Sequence, residues 1–307
     1  MTLRVAAFLF AVVAIPVQMC GSPQVAEEDL AQQLNSRYAN NVLMLRHFYQ
    51  RDHLSFQPDG TLIGSGETGP WTVFGQIFVK SIELRAANLN IKGRRVNLIF
   101  DDKTKSFRDV LQYVEEQSKA SPPEHKKKKH GHNEQKRPDW DALTQFYLNQ
   151  IVEIDIALRS ENPGVQEVSA ALAAVFMKPE EPMADLLPDF WRDYFDGVEG
   201  RPPRSRERSE PVYRITPGAV LPPRPIYSPE PEFSEYARLA RYQGTATLAL
   251  VVDSSGNAMD VQISTPIGLG LDDKGVEAVR NWKFEPARRG GKAVAVNTSV
   301  EIDFHLY

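Results

Sequence analysis

The chain of 307 residues has one cysteine, Cys20, and none after it, so no intrachain disulfide is available to staple a fold. An excess of one charge is missing too. Lys and Arg number 36 against 40 Asp and Glu, a net charge of -4, which excludes an overall drive toward nucleic acid or an anionic bilayer. Any basic function has to be local. Long hydrophobic runs are also lacking: the one extended apolar stretch, residues 5–17, "VAAFLFAVVAIPV", is shorter than the ~20 residues that a ~30 Å hydrocarbon core requires.

That stretch follows Arg4 and leads into the small residues "GSP", a pattern that predicts a secretory signal peptide or N-terminal anchor over residues 1–22. Cys20 lies just behind it. An unpaired thiol in an oxidising envelope is a liability, so Cys20 is either lost with the signal, kept at the end of an uncleaved anchor, or lipidated as the mature N-terminal residue. The last layout resembles that of bacterial lipoproteins. All three place the protein in the periplasm or cell envelope, associated with a membrane through its N-terminus in two of them.

Residues 41–196 read as a β-rich α+β domain. Runs such as "WTVFGQIFVKSIELR" and "LNIKGRRVNLIF" are punctuated by Asp59-Gly60, Gly64-Ser65-Gly66, Gly69-Pro70 and Lys92-Gly93, which predicts short strands in a meander or small barrel. Ser106 reads as the N-cap of a helix, because Phe107, Val110, Leu111 and Val114 recur at helical spacing. Residues 121–139, around "HKKKKHGH", have no apolar periodicity and read as a basic, solvated insertion. Beyond it, residues 140–149 and 165–177 predict helices, and "IVEIDIALR" alternates Val152, Ile154, Ile156 and Leu158 against mostly polar residues, as a strand buried on one face does. The aromatic "PDFWRDYF" closes the region. Residues 197–231 are dense in proline, which removes amide donors and favours extended chain; they read as a semi-rigid spacer between domains.

Residues 232–307 carry the clearest pattern. A short helix, "SEYARLARY", is followed by "TATLALVVD", the turn "SSGN" and "AMDVQIS", two alternating strands of a hairpin. Asp272 and Asp273 open a helix, where carboxylates complement free amides. Val276, Val279 and Trp282 form its buried stripe, and Pro286 forbids its continuation. The last stretch, "KAVAVNTSVEIDFHLY", alternates throughout. The fold class is α+β: a C-terminal antiparallel three-stranded sheet with two helices, behind the β-rich α+β domain.

The elements Gly244, Asp253 with Ser255-Gly256, Leu271-Asp272, Trp282-Lys283-Phe284-Glu285-Pro286 and the alternating terminal strand resemble the C-terminal domain of the TonB family. Residues 41–107 resemble the β domain that precedes this module in some acidobacterial proteins. The resemblance implies a binding module, not an enzyme, without a cofactor, which captures the TonB box of outer-membrane TonB-dependent receptors by β-strand addition and supports transmembrane transport. A long terminal strand at a sheet edge suits that role, since its unpaired amides and carbonyls are free to bind a peptide. The partner-binding residues are then Asn297, Ser299, Glu301 and Asp303, through their backbone. Otherwise this edge is covered by a second copy, docking through the C-terminal domain, or by the N-terminal domain. An ExbB-ExbD-type motor is a further implied partner, yet residues 5–17 lack the polar residue, Ser or His, that motor coupling needs. The alternative is an envelope ligand-binding or enzymatic domain at 41–196, tethered by an interaction module without energy transduction.

Other clusters read more simply. His125, His130 and His132 with Glu124 and Glu134 are interrupted by four lysines that repel a cation, which favours a solvated charge run over a metal site. His47 and His53 have no Ser or Cys nucleophile beside them. "ARRGGK" is an exposed basic turn, without the strand-loop-helix order of a phosphate site.

Overall fold

The computed structural model describes residues 23–120, 139–202, 204 and 206–306. The expected signal or anchor segment with Cys20, and the 121–139 insertion up to residue 138 with its histidines, lie outside them. The described residues fall into two units: residues 23–98 with 108–181, and residues 99–107 with 182–306. Among the described residues, no helix is long and apolar enough to cross a membrane.

The first unit opens with α1 (Pro23–Tyr38), an element not expected from the sequence, then β1 (Val42–Met44), β2 (His53–Phe56), the one-turn α2 (Trp71–Phe74), β3 (Gln76–Arg85) and β4 (Asn88–Val96). In chain order a hairpin of β5 (Leu98–Asp101) and β6 (Ser106–Asp109) comes next, its residues 99–107 belonging to the second unit; the first unit resumes with α3 (Val110–Ala120), α4 (Trp140–Leu148), β7 (Ile151–Ala157) and α5 (Val165–Val175). The sheet has the order β1-β3-β4-β7-β2 and is antiparallel except where β2 runs parallel to β7. The expected meander or barrel is therefore an open, mixed sheet. In β3 the inward apolar residues change parity, from Ile77 and Val79 to Ile82 and Leu84. A register shift between Val79 and Ser81 absorbs the extra residue and keeps all four buried. Leu30 and Leu34 of α1 and Val168, Leu172 and Val175 of α5 join them in one core. Asn35 of α1 bonds Ile82 both ways, its Oδ1 accepting from the amide at 2.8 Å and its Nδ2 donating to the carbonyl at 2.5 Å. The side chain thus satisfies both backbone groups of a residue on β3. The helix expected from Ser106 begins only at Val110, because Ser106 and Phe107 are taken into β6.

The second unit continues with a turn of 3-10 helix at Met183–Asp185, α6 (Asp189–Val198), β8 (Val212–Arg214), β9 (Val220–Leu221) and β10 (Arg224–Tyr227). After these come α7 (Glu235–Leu239), β11 (Gly244–Val252), β12 (Ala258–Thr265), α8 (Leu271–Arg280), β13 (Lys283–Glu285), β14 (Ala287–Arg289) and β15 (Lys292–Phe304). The three expected strands form the antiparallel array β12-β11-β15, which β14 and β9 extend and which β8 joins in parallel beside β15. β10 pairs with β13 as a separate ribbon.

Two expected boundaries shift. Residues 99–107 and 182–196, assigned from sequence to the N-terminal domain, belong to the second unit, where Phe107 stacks on Phe195 at 6.4 Å and meets Trp191 edge-on at 6.0 Å. Aromatic pairs of this kind bury large area, which local periodicity does not reveal. The 197–231 segment is not a free spacer: it supplies β8, β9 and β10. Arg201 Nη2 and Arg204 Nε meet the buried Asp196 carboxylate at 2.8 and 3.0 Å, Ser254 N donates to Glu210 Oε1 at 3.0 Å, and Trp282 Nε1 donates to Pro229 O at 3.1 Å.

That last bond also corrects the expected role of Trp282. The helix α8 ends at Arg280, and Trp282 is half-buried outside it, clamping the proline-rich chain, while Phe284 is the buried ring. Pro286 stands between β13 and β14, six residues past the helix end, and is not its stop.

Candidate functional site

β15 is positioned from both ends. At its start, Gly290 (φ 55°) and Gly291 (φ 79°) make the two-residue turn that joins it to β14; two successive positive φ angles match the twist of a tight hairpin and suit glycine. Along its body, residues 296–304 pair antiparallel with residues 252–244 of β11, from Val296 beside Val252 to Phe304 beside Gly244. Val296, Ile302 and Phe304 are buried, and the Phe304 ring meets Phe233 edge-on at 5.8 Å. Alternation therefore fixes which face is core.

Before that body, residues 292–294 pair with β14, Lys292 beside Arg289 and Val294 beside Ala287. On the side of β15 away from β11, β8 covers residues 295–297. Along residues 298–304, no strand of the described residues pairs on this side. Of the four residues expected to bind a partner, Asn297 lies between two strands, beside Val251 of β11 and Arg214 of β8. Ser299, Glu301 and Asp303 pair with Ala249, Thr247 and Thr245 on one side only, and all four side chains are exposed. Asp303 accepts a hydrogen bond from Thr245 Oγ1 at 2.5 Å. The contribution of β8 was hidden in the sequence, because "PVYRIT" is too short to show alternation.

The first turn of α8 holds a buried carboxylate, Asp272, beside the half-buried Asp273. Asp272 is fully buried and accepts from the amides of Ile267 at 2.9 Å and Gly268 at 2.7 Å, so it braces the loop ahead of α8 and not the free amides of its first turn. Gly268, Leu269 and Gly270 in that loop all have positive φ, and Leu269 is the one non-glycine among them. Burial pushes the Asp272 carboxyl up to about 6 despite these bonds, and burial together with the Asp272 charge pushes Asp273 up to about 8. Asp253, at the hairpin turn, goes the other way. Its burial acts upward, but bonds from Asn257, Ser255 and Gly256 outweigh it and hold the carboxyl below its ordinary value.

Two open grooves lie elsewhere among the described residues. An open groove of about 410 Å3 in the first unit is lined by Pro58, Arg159, Glu167 and Ala171. One of about 560 Å3 in the second unit is lined by Arg192, Arg204 and Arg206, which pair with Asp189, Asp185 and Asp193. Among the described residues no group of three or more His, Cys, Asp or Glu is placed to hold a metal ion. His53 faces Asp155 Oδ2 at 3.0 Å on an exposed sheet face, and His47 lies 5.9 Å from the Tyr49 ring.

Residues 229–306 match the family described as Gram-negative bacterial TonB protein C-terminal. "Protein tonB2" of Pseudomonas aeruginosa is 38% identical over 82 residues, 26% of this chain and 30% of that protein. "Protein TonB" of Vibrio cholerae serotype O1 is 31% identical over 78 residues, 25% of this chain and 32% of that protein. The chain thus spans about a third of the length of the curated relatives it matches. A solution NMR structure of the Pseudomonas aeruginosa TonB CTD aligns at 22% identity and a TM-score of 0.24, covering 31% of this chain and 94% of that one.

Proposed function

We propose that the second unit is a peptide-docking module of the cell envelope, which captures the TonB box of outer-membrane TonB-dependent receptors by adding it as a strand to β15 and so supports TonB-dependent transport. The observation that carries this reading is the one-sided pairing of β15 along residues 298–304, a stretch that leaves backbone donors and acceptors for an incoming strand. The exposed Ser299, Glu301 and Asp303 flank that edge and tune the choice of peptide. The role is binding, with no chemical step assigned to any residue. The chain works in the periplasm, held at a membrane through its N-terminus, and its docking edge is the feature through which a second copy would also pair. An ExbB-ExbD-type motor is a second partner class for the chain, although residues 5–17 hold no Ser or His.

The test is binding of labelled TonB-box peptides to the full chain by fluorescence anisotropy. A micromolar Kd is expected, with roughly tenfold or greater weakening when alternate peptide residues are N-methylated, because each blocked amide removes a ladder bond. Thr298→Pro, which kinks β15 at the start of the open edge, should abolish binding. Failure to bind any of a panel of receptor peptides, or indifference to N-methylation, would sink the proposal.

A further inference from the structure

The side of β15 that the docking reading gives to a partner already holds a strand of this chain. β8 runs parallel to β15, with Val212 beside Ala295, Tyr213 beside Val296 and Arg214 beside Asn297. Resting on that reading, we propose that β8 is a built-in occupant of the docking edge: an extended peptide that pairs along β15 displaces it, so the full edge runs over residues 295–304 and partner binding is set against release of β8.

The geometry of β8 fits a replaceable strand. It has three residues, about half the usual strand length, and its ladder is parallel, the weaker pairing per residue. Val212 and Tyr213 are only half-buried and Arg214 is exposed. One side-chain contact holds it from the neighbouring hairpin, Arg289 over the Tyr213 ring at 4.9 Å. Nor can β8 grow to fill the edge itself. Past the exposed Ile215, the amides of Ala219 and Val220 both turn back to Thr216 O at 3.0 Å, Pro217 has no amide to donate, and Gly218 has φ 80°.

Release is also local. Upstream the chain is fastened where Ser254 N meets Glu210 Oε1, and downstream β9 pairs with β14, so only residues 211–219 need to move. A peptide spanning residues 295–304 would pair along three more residues than one confined to 298–304. Because β8 itself runs parallel, that peptide is expected to enter parallel to β15.

The experiment uses the full chain with a labelled TonB-box peptide as probe. Tyr213→Pro sets a proline in the middle of β8 and removes the ring contact, and should tighten peptide binding roughly three- to tenfold. Arg289→Ala, which leaves the β8 backbone untouched, should tighten it less. In the unaltered protein, hydrogen exchange at the amides of residues 212–214 should speed up when peptide binds, while exchange along 298–304 slows. Unchanged or weaker binding by Tyr213→Pro alongside a binding wild type, or β8 amides as protected with peptide as without, would overturn this inference and leave the docking reading standing. Absence of binding by both wild type and Tyr213→Pro overturns the docking reading and this inference with it. Binding by the variant alone supports both.

Discussion

The guanidinium of Arg289 lies 4.9 Å over the ring of Tyr213, so the hairpin that delivers β15 also holds the strand beside it. A cation above an aromatic face at a half-exposed site contributes about 0.5–1 kcal/mol. A double-mutant cycle of Arg289→Ala and Tyr213→Ala, read by hydrogen exchange at residues 295–297, should give a coupling of that size. Strict additivity would show that the contact does not hold β8 in place.

Gly256 is fixed by its surroundings. It has φ 85°, and a Cβ there would sit 2.0 Å from the carbonyl oxygen of Phe284, which is backbone and cannot yield cheaply. Gly256→Ala should therefore destabilise the second unit by more than about 2 kcal/mol, measured by urea denaturation followed through Trp191 and Trp282 fluorescence. A loss under about 0.5 kcal/mol would contradict the packing of this turn against β13.

Gly275 is the opposite case. It sits inside α8, where a Cβ would meet Leu248, Ile302 and Phe304 at 3.8 to 3.9 Å, which is ordinary contact. Gly275→Ala should stabilise the second unit by about 0.5–1 kcal/mol by restricting the unfolded chain and filling available space. Destabilisation in the same denaturation assay would mean that α8 lies closer to the sheet.

The Asp272 and Asp273 carboxyls set a pH dependence. Both bind a proton more tightly in the fold than in the open chain, with folded values raised to about 6 and about 8. In that window the native state holds more protons than the unfolded one, so their contribution to stability is greatest near pH 4 and falls as pH rises through 6 toward 8. Asp253, held low, acts in the other direction: its contribution is present above the ordinary carboxylate value and lost in strong acid. Asp273 Oδ2 has no hydrogen-bond partner, which makes it the group to neutralise. Asp273→Asn should raise stability at pH 8 by about 1–2 kcal/mol with little change at pH 4, as hydrogen exchange of α8 amides at the two pH values would show. An equal effect at both would dissociate the shift from Asp273.

Much of the second unit was legible in the sequence. The period-two alternation of β11, β12 and β15, the Ser255-Gly256 and Gly290-Gly291 turns and the short amphipathic α8 are local signals, and each element forms where its pattern lies. Unit 1 was less legible. The parity break in β3 is absorbed by a register shift that only its partner strand defines, and α1 carries little amphipathic pattern to mark it.

What the sequence by itself determined is which residues can be strand or helix and which face of each is apolar, because backbone geometry imposes periods of 2 and 3.6 on neighbours along the chain. Tertiary structure alone decided the company those elements keep. It drew residues 99–107 and the aromatic α6 into the C-terminal unit, turned a proline-rich segment into three short strands, and set β8 against β15 over Asn297 while leaving residues 298–304 paired on one side. Three-residue strands and single ring contacts have no period to read. They exist because distant backbone groups and rings need partners, and only the folded chain supplies them.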